Sequence, residues 1–465
     1  MGVEILKNEF TNYIILQLQS AFSKSTMKRS GSGTLPCRFE RLESMNLEKD
    51  RRKVSNLVVF WCTVIVLASL SSLGFPAWAV RSFLVGETNC ERHLDCEFNG
   101  ECRFGKCVCD KGWTGRFCSS LNLAPARLNN GYRKHNISSW GGNILNLSDA
   151  EKPSFHLFVS EIVGGCGLTS WGGNSKIIHA VSSQVDGPYE KVGDAVGVWA
   201  HNPQVILAPD GTFLLYHIGR GTNNTSPQEC SEHQGTTPNA MRSSFSKTSI
   251  PKFTFPIHYS SSPQGPWALF EAEVSFDVGS NANPAPYMFP NGTVVIVFNA
   301  KDMALASATT WRGPYVFQRS HTCGAGEDPF LYADKRGNFH CLSHASPFNQ
   351  PEKSILHSYS SDGIKWSVSE YVAAGSIVTF ENDQKVFFSK RERPKVFFDT
   401  NGDLSHFISG VTINPPCAPD FLPELRLSSG MSFNCTNLQQ QYDLADTNPH
   451  PGNYDRSTTL IQQLL

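Results

Sequence analysis

Three carboxylates sit beside prolines in two short runs. Glu327 and Asp328 precede Pro329 in EDPF, and Glu392 lies between Arg391 and Arg393 ahead of Pro394 in RERPK. Carboxylates brought together can share the work of giving and taking a proton. Flanking guanidinium groups hold a carboxylate ionised by opposite charge. Two further prolines carry an amide in the same place, Asn202 before Pro203 and Asn283 before Pro284. An amide offers hydrogen bonds but cannot act as a base.

The text around these prolines repeats. Pro203, Pro284, Pro329 and Pro394 are each followed eight residues later by a glycine, at Gly211, Gly292, Gly337 and Gly402. Between them lies an apolar strand and a polar turn, and a second apolar strand follows the glycine. A second motif alternates with the first: a strand ending in Ser, then a turn, then an aromatic start. It reads Gly187-Pro188-Tyr189, Gly265-Pro266-Trp267 and Gly313-Pro314-Tyr315, with Asp362-Gly363 and Trp366 in the fourth case. Inner hairpin, outer hairpin, repeated, is the mark of a radial β architecture with four strands to a unit. Five units follow, the first starting near Trp140-Gly141-Gly142-Asn143, and Asn202, Asn283, Asp328 and Arg393 are expected to face one central channel. The last strand candidate, Thr458–Leu464, is expected to close the ring by joining the first unit, since a free terminal edge invites aggregation. The fold class is all-β, a five-bladed propeller over residues 125–464.

Composition agrees. Charged residues are 17% of the chain and the formal net charge is -1, which excludes a nucleic-acid partner needing a basic surface. No nucleotide-binding loop or Gly-x-Ser-x-Gly elbow occurs. Asp210, Asp334 and Asp399 belong to hairpin turns, and His179, His201 and His258 have no ligand-like spacing to a Cys or carboxylate. No metal and no cofactor is expected.

The Trp-Gly-Gly, His-Asn-Pro, Asn-Pro-Ala-Pro, Glu-Asp-Pro-Phe and Arg-Glu-Arg-Pro-Lys motifs, with the Gly-Pro-Tyr turns, resemble the five-bladed glycoside hydrolases, above all family 43 with its arabinanases and β-xylosidases. The resemblance implies a carbohydrate partner, cleavage of O-glycosidic bonds, and carboxylates around the channel. Carried onto this chain, it implies Glu327 or Asp328 as acid/base and Glu392 as the second carboxylate. Trp140, His201, Asn202, Asn283, Arg391 and Arg393 would bind substrate, with Trp140 stacking on a sugar ring. The departures are Asn202, Asn283 and the first unit, which put amides and glycine where the family has Asp. A catalytically silent carbohydrate-binding propeller is the alternative. Asn before Pro also caps turns, and Arg391-Glu392-Arg393 also reads as a structural ion pair.

Export is read from the N-terminal part. Leu57–Phe75 is uncharged and near the span of a bilayer, and it follows Lys49, Arg51, Arg52 and Lys53. It reads either as a single-pass anchor, with residues 1–55 a disordered cytoplasmic tail, or as a signal segment cleaved after Ala79. Both place the rest in an oxidising compartment, where disulfides form. Six N-glycosylation sequons follow, at Asn136, Asn146, Asn223, Asn224, Asn291 and Asn434. Cys90, Cys96, Cys102, Cys107, Cys109 and Cys118 fall within one short stretch that resembles an EGF-like module over residues 86–119, without the calcium-binding pattern. That resemblance implies Cys90–Cys102, Cys96–Cys107 and Cys109–Cys118. For the remaining six exported cysteines the expected pairs are Cys166–Cys230, Cys323–Cys341 and Cys417–Cys435.

Overall fold

The computed structural model describes residues 89–465 apart from 135–136, 150–151, 222–228, 231–252, 280–281, 325, 346–353, 413–423, 427–431 and 435–455. The apolar run 57–75, the sequons at Asn136, Asn223 and Asn224, and the Cys417–Cys435 pair therefore lie outside the described residues. Among the described residues no helix is long and apolar enough to cross a membrane. Residues 85–465 form one compact unit.

This unit begins with a disulfide-rich module. A hairpin of β1 (Gly100–Arg103) and β2 (Lys106–Cys109) is followed by the short pair β3 (Trp113–Thr114) and β4 (Ser120–Leu121). So small a segment cannot bury enough surface to fold unaided. It is cross-linked by Cys90–Cys102, Cys96–Cys107 and Cys109–Cys118.

Five sheets follow. The first is β5 (Ser138–Asn146), β6 (Phe155–Ile162), β7 (Ser175–Ser182) and β8 (Glu190–Val196). The second is β9 (His201–Leu207), β10 (Phe213–Ile218), β11 (Phe253–Ser260) and β12 (Ala268–Val274). The third is β13 (Ala285–Met288), β14 (Val294–Phe298), β15 (Ala304–Ala308) and β16 (Val316–Arg319). The fourth is β17 (Gly326–Ala333), β18 (Phe339–Ala345), β19 (Ile355–Ser360) and β20 (Ser367–Ala374). A small hairpin, β21 (Ile377–Thr379) with β22 (Lys385–Phe387), leads to the fifth, β23 (Lys390–Phe398) and β24 (Leu404–Thr412). Another hairpin, β25 (Glu424–Arg426) with β26 (Ser432–Asn434), precedes the last strand, β27 (Ser457–Gln463). Within each four-stranded sheet, strands pair antiparallel in chain order.

The last strand corrects the sequence reading. It pairs with β24, from His406↔Gln463 to Thr412↔Ser457, and so completes the fifth blade as its third strand rather than joining the first. The first blade already has four strands from its own sequence, whereas the fifth has two and leaves the edge of β24 open. The C-terminal strand covers that edge. Its link to the first blade is through side chains: Thr459 Oγ1 donates to the Gly141 carbonyl, and its amide donates to Ser139 Oγ.

The Pro-to-Gly register has a local cause. Gly211, Gly292, Gly337 and Gly402 close the inner hairpins with φ of 84°, 84°, 83° and 73°, a region costly for side chains with a Cβ. Their amides donate to the carbonyls of Ala208, Phe289, Asp334 and Asp399. Asp210, Asn291, Asp334 and Asp399 accept local backbone amides, the turn role expected of the aspartates.

The core lies between blades. Phe158, Ile177, Val205 and Leu215 pack blade one on two; Leu214, Phe255, Ile257 and Phe298 pack two on three. Val297, Leu331 and Cys341 join three to four, and Leu157, Ile408 and Ile461 join five to one. Between blades four and five, Phe330, Leu342 and Phe407 form one cluster with Trp113, Cys118 and Leu121 of the module. The module is thus seated on the propeller by shared apolar burial. Cys166–Cys230 and Cys323–Cys341 are both formed, as expected.

Candidate functional site at the propeller axis

The residues before the prolines meet on the axis. Asn202, Asn283, Asp328 and Arg393 all have left-handed φ, of 55°, 41°, 60° and 59°. Such a backbone disfavours most side chains, least so Asn and Asp. The fifth place belongs to Gly141, with φ 63°. A Cβ there would lie 3.0 Å from Cβ of Arg393, so glycine leaves room for the arginine stem. In β5, β17 and β23 the register slips at this point, at Trp140/Asn143, Glu327/Phe330 and Glu392/Lys395. These bulges re-aim side chains toward the axis.

The ring is internally linked, though Asn202 Oδ1 and Asp328 Oδ2 are buried without a hydrogen-bond partner among the described residues. Asn202 Nδ2 donates to Asn283 Oδ1 (2.6 Å), Asn283 Nδ2 donates to Asp328 Oδ1 (2.9 Å), and Arg393 pairs with Asp328. Together with Gly142, the prolines and Lys395, the ring closes the channel down to a cavity of about 10 Å³. Lys395 is buried beneath it, 3.5 Å from Gln204 Oε1. Burial, and then the charge of Arg393, pull its ammonium down to about 7. Asp328 is therefore a ring member held by a guanidinium and an amide.

One residue earlier in each blade stand Trp140, His201, Ala282, Glu327 and Glu392. Trp140 is 1% exposed, and its indole covers Gly410 so closely that a Cβ there would be 2.5 Å from it. It is a wall of the fifth and first blades, with no ring face open to a sugar. His201 is likewise buried, bonded through Nδ1 to Ser175 Oγ (2.7 Å) and stacked on Trp171 at 5.0 Å. Arg391 is fully buried and spends its donors on Ser409 Oγ, the Gly375 carbonyl and Gln462 Oε1. Its role in this geometry is to tie β23 to β24 and β27.

Glu327 and Glu392 remain, from adjacent blades. Each offers a carboxylate oxygen within 4.8 Å of the other and of His344, which the sequence reading did not single out. His344 Nδ1 lies 3.7 Å from Glu327 and Nε2 3.9 Å from Glu392. The two carboxyls are driven apart. Burial raises Glu392, and the nearby Glu327 charge adds to it, against the pull of His344 and Lys390. Burial pushes Glu327 up too, but the His344 ring and the charge of Arg393 outweigh it and hold Glu327 below its ordinary value. Two carboxyls in environments that displace them in opposite senses can divide proton donation and acceptance between them. A divalent cation could draw on Glu327, Asp328, His344 and Glu392, whose ligand atoms converge. Asp328 is already neutralised by Arg393, and that guanidinium opposes a second positive charge beside it. The set fits proton sharing better than a metal.

No family model matches the chain, and no curated protein matches it. Among solved structures the chain is similar to a family 117 glycoside hydrolase of the marine bacterium Zobellia galactanivorans, at 12% identity and a TM-score of 0.43, over 74% of this chain and 90% of that one. It is similar to a family 43 β-xylosidase/α-arabinofuranosidase from a compost microbial metagenome, at 10% identity and TM-score 0.40, over 74% and 94%. It is also similar to an α-L-arabinofuranosidase of Podospora anserina, at 10% identity and TM-score 0.41, over 77% and 97%.

Of the residues expected at the site, Asn202, Asn283, Asp328, Arg393, Glu327 and Glu392 converge on the axis. Trp140, His201 and Arg391 stand around it as buried supports. Gly141 and His344 are the additions. Of the sequons within the described residues, Asn146 and Asn291 are exposed.

Proposed function

We infer that the protein is a carbohydrate-active glycoside hydrolase working at the propeller axis, with Glu392 as proton donor and Glu327 as the ionised partner. One observation carries this reading: two carboxyls from neighbouring blades, linked by one imidazole, lie within 4.8 Å with their proton affinities displaced in opposite senses. Glycoside cleavage requires such a division of labour. Oxygens within 4.8 Å lie nearer the spacing of about 5–5.5 Å usual for double displacement with retained configuration than the wider gap of inverting enzymes. Asn202 gives one amide hydrogen to Asn283, and Asn283 gives one to Asp328. Amides that can hydrogen-bond but cannot act as a base favour the second reading, a carbohydrate-binding propeller without turnover. An exported glycoprotein, anchored through 57–75 or cleaved after Ala79, with an EGF-like spacer, is the setting the sequence supports.

The test is hydrolysis of aryl glycosides and plant-type or algal polysaccharides by the full chain, beside Glu327→Gln, Glu392→Gln and Asp328→Asn. Turnover lost in the two glutamate variants, with the product anomer of the substrate's configuration, supports the assignment. Glycan binding with no turnover on any substrate supports the second reading.

A further inference from the structure

A second carboxylate–histidine cluster lies away from the axis, where the disulfide-rich module meets the fourth blade. Glu97 of the module is buried at 5% exposure, with φ 54°. Its Oε1 accepts from Ser369 Oγ on β20 (2.6 Å) and its Oε2 faces His357 Nδ1 on β19 (3.1 Å). His357 Nε2 faces His340 Nδ1 on β18 (3.0 Å), and His340 Nε2 faces Asp334 Oδ2 at 3.7 Å. Both rings are fully buried, and Trp113 of the module covers His357 at 4.8 Å. The other charged or titratable groups around this chain are Tyr359 on β19, Glu370 on β20, Asp95 in the module, and Arg336, which bridges Asp334 and Asp110.

The hydrogen-bond directions decide which protonation state fits. A neutral imidazole has one N–H and one acceptor nitrogen. Asn99 Nδ2 is fixed by donating to the Cys118 carbonyl (3.0 Å), and the same amide nitrogen stands 3.3 Å from His357 Nδ1. An acceptor at His357 Nδ1 suits that donor, and Nε2 would then carry the hydrogen and donate to His340 Nδ1. His340 then presents its own Nε2–H to the Asp334 carboxylate. For Oε2 of Glu97 to bond an acceptor nitrogen, it must carry a proton, while Oε1 accepts from Ser369. If Glu97 ionises, both rings must change tautomer. His357 Nδ1–H would then meet the Asn99 donor, and the bare Nε2 of His340 would face a carboxylate, an unpaired buried conflict at each end.

We propose that Glu97, His357 and His340 form a proton-controlled latch between the module and the fourth blade, closed while Glu97 holds its proton and loosened when it ionises. The latch is independent of any chemistry at the axis. Burial pushes Glu97 up to about 7, against Ser369 and His340, which pull it down. The docked form therefore binds a proton that the released module, with an ordinary carboxyl, does not. This contribution to docking is fully present below the ordinary carboxyl value and is lost as pH rises through about 7. Burial holds His357 down at about 3 and His340 at about 4. Uncovering them lets them take protons as pH falls below their ordinary value, so docking weakens on that side too. The Glu97 contribution is therefore drawn down as pH rises to about 7, over a range in which the two histidines act in the opposite sense.

Amide hydrogen exchange of β1, β2 and β19 in the full chain, corrected for intrinsic rates, reads the latch between pH 6 and 9. The expected result is a ratio of protection in the parent to that in Glu97→Gln that falls by up to about tenfold per pH unit as pH rises to about 7 and is level above it, the linkage of one proton. Glu97→Gln supplies a permanent donor to His357 Nδ1 and an acceptor for Ser369, so its own pH response is that of the two histidines alone. Imidazole ¹⁵N shifts give a second reading that does not depend on opening: His357 should carry its hydrogen on Nε2 at pH 6. A ratio of parent to Glu97→Gln protection that does not change with pH, or an Nδ1–H tautomer at pH 6, would overturn the proposal.

Discussion

One strand, β18, carries a histidine in each of two carboxylate clusters, and the two have opposite designs. His344, near its end, stands between Glu327 and Glu392, whose side chains are 24% and 11% exposed, at distances of 3.7 and 3.9 Å. His340, four residues earlier, belongs to a sealed chain whose His–His and His–Glu links are 3.0 and 3.1 Å. In the sealed chain the directions of the hydrogen bonds select one protonation state. At the axis the bonds are open, and the electrostatic surroundings set the two carboxyls apart. On the proposed reading, the cluster that exchanges protons with substrate keeps its links slack, and apo catalytic contacts are often long. A cluster that must hold two parts together closes them.

The sharpest way to break this comparison is to unbalance the ring beneath the axis. Arg393→Met leaves Asp328 buried against an amide without its counter-ion. A loss of about 3–5 kcal/mol is expected, the cost of an uncompensated buried charge. Adding Asp328→Asn should restore part of it. Chemical denaturation of the two variants checks both, and equal stabilities would remove the ion pair from the account.

Next in size is the acid/base division. Glu392→Gln should lower turnover by about 10²–10⁴-fold with little change in melting temperature, because the side chain is part of the site and not of the core. The pH profile should rise as Glu327 ionises, below the ordinary carboxyl range, and fall as Glu392 loses its proton above it. In Glu327→Gln the residual turnover should lack the rising limb. A profile without two limbs would dissolve the contrast between the clusters.

What the sequence made legible follows the same division. Turns and strand starts were readable because their causes are local: Gly211 or Gly402 must reach a left-handed φ, and the residue–proline pairs open the inner strands. From those, five blades and a converging set with Glu327, Glu392 and Asp328 could be placed. His344 was not legible, since a lone histidine inside FHCLSHA looks like one more strand residue and only the fold brings it to the neighbouring blade's Glu392. Trp140 was misjudged as an open platform because its burial depends on Gly410, far along the chain. Glu97 was hidden for the reverse reason. A glutamate in a small cross-linked module reads as solvent-exposed, and its burial comes from docking on β19 and β20.

A smaller effect tests the crowded side of the ring. Gly141→Ala adds a Cβ 3.0 Å from that of Arg393 at φ 63°. The backbone cost alone is about 1–2 kcal/mol, and the arginine must also shift. Reduced turnover with a modest drop in melting temperature is expected, since the displaced guanidinium also holds Glu327 low. A variant as active as the parent would show that Glu327 does not depend on the position of Arg393.

The smallest expected effect separates the latch from its surroundings. Arg336 bridges Asp110 of the module to Asp334 of the fourth blade, at the rim of the same interface as Glu97. Its side chain is 36% exposed and that of Asp110 is 40%, so water screens the pair. Arg336→Ala should cost less than about 1 kcal/mol. It should leave the Glu97-dependent pH response of module docking in place, because the proton that controls it resides on Glu97, inside the seal. A variant that lost this response along with the rim contact would place control of the interface in its surface charges, and the two ends of β18 would then differ in exposure alone.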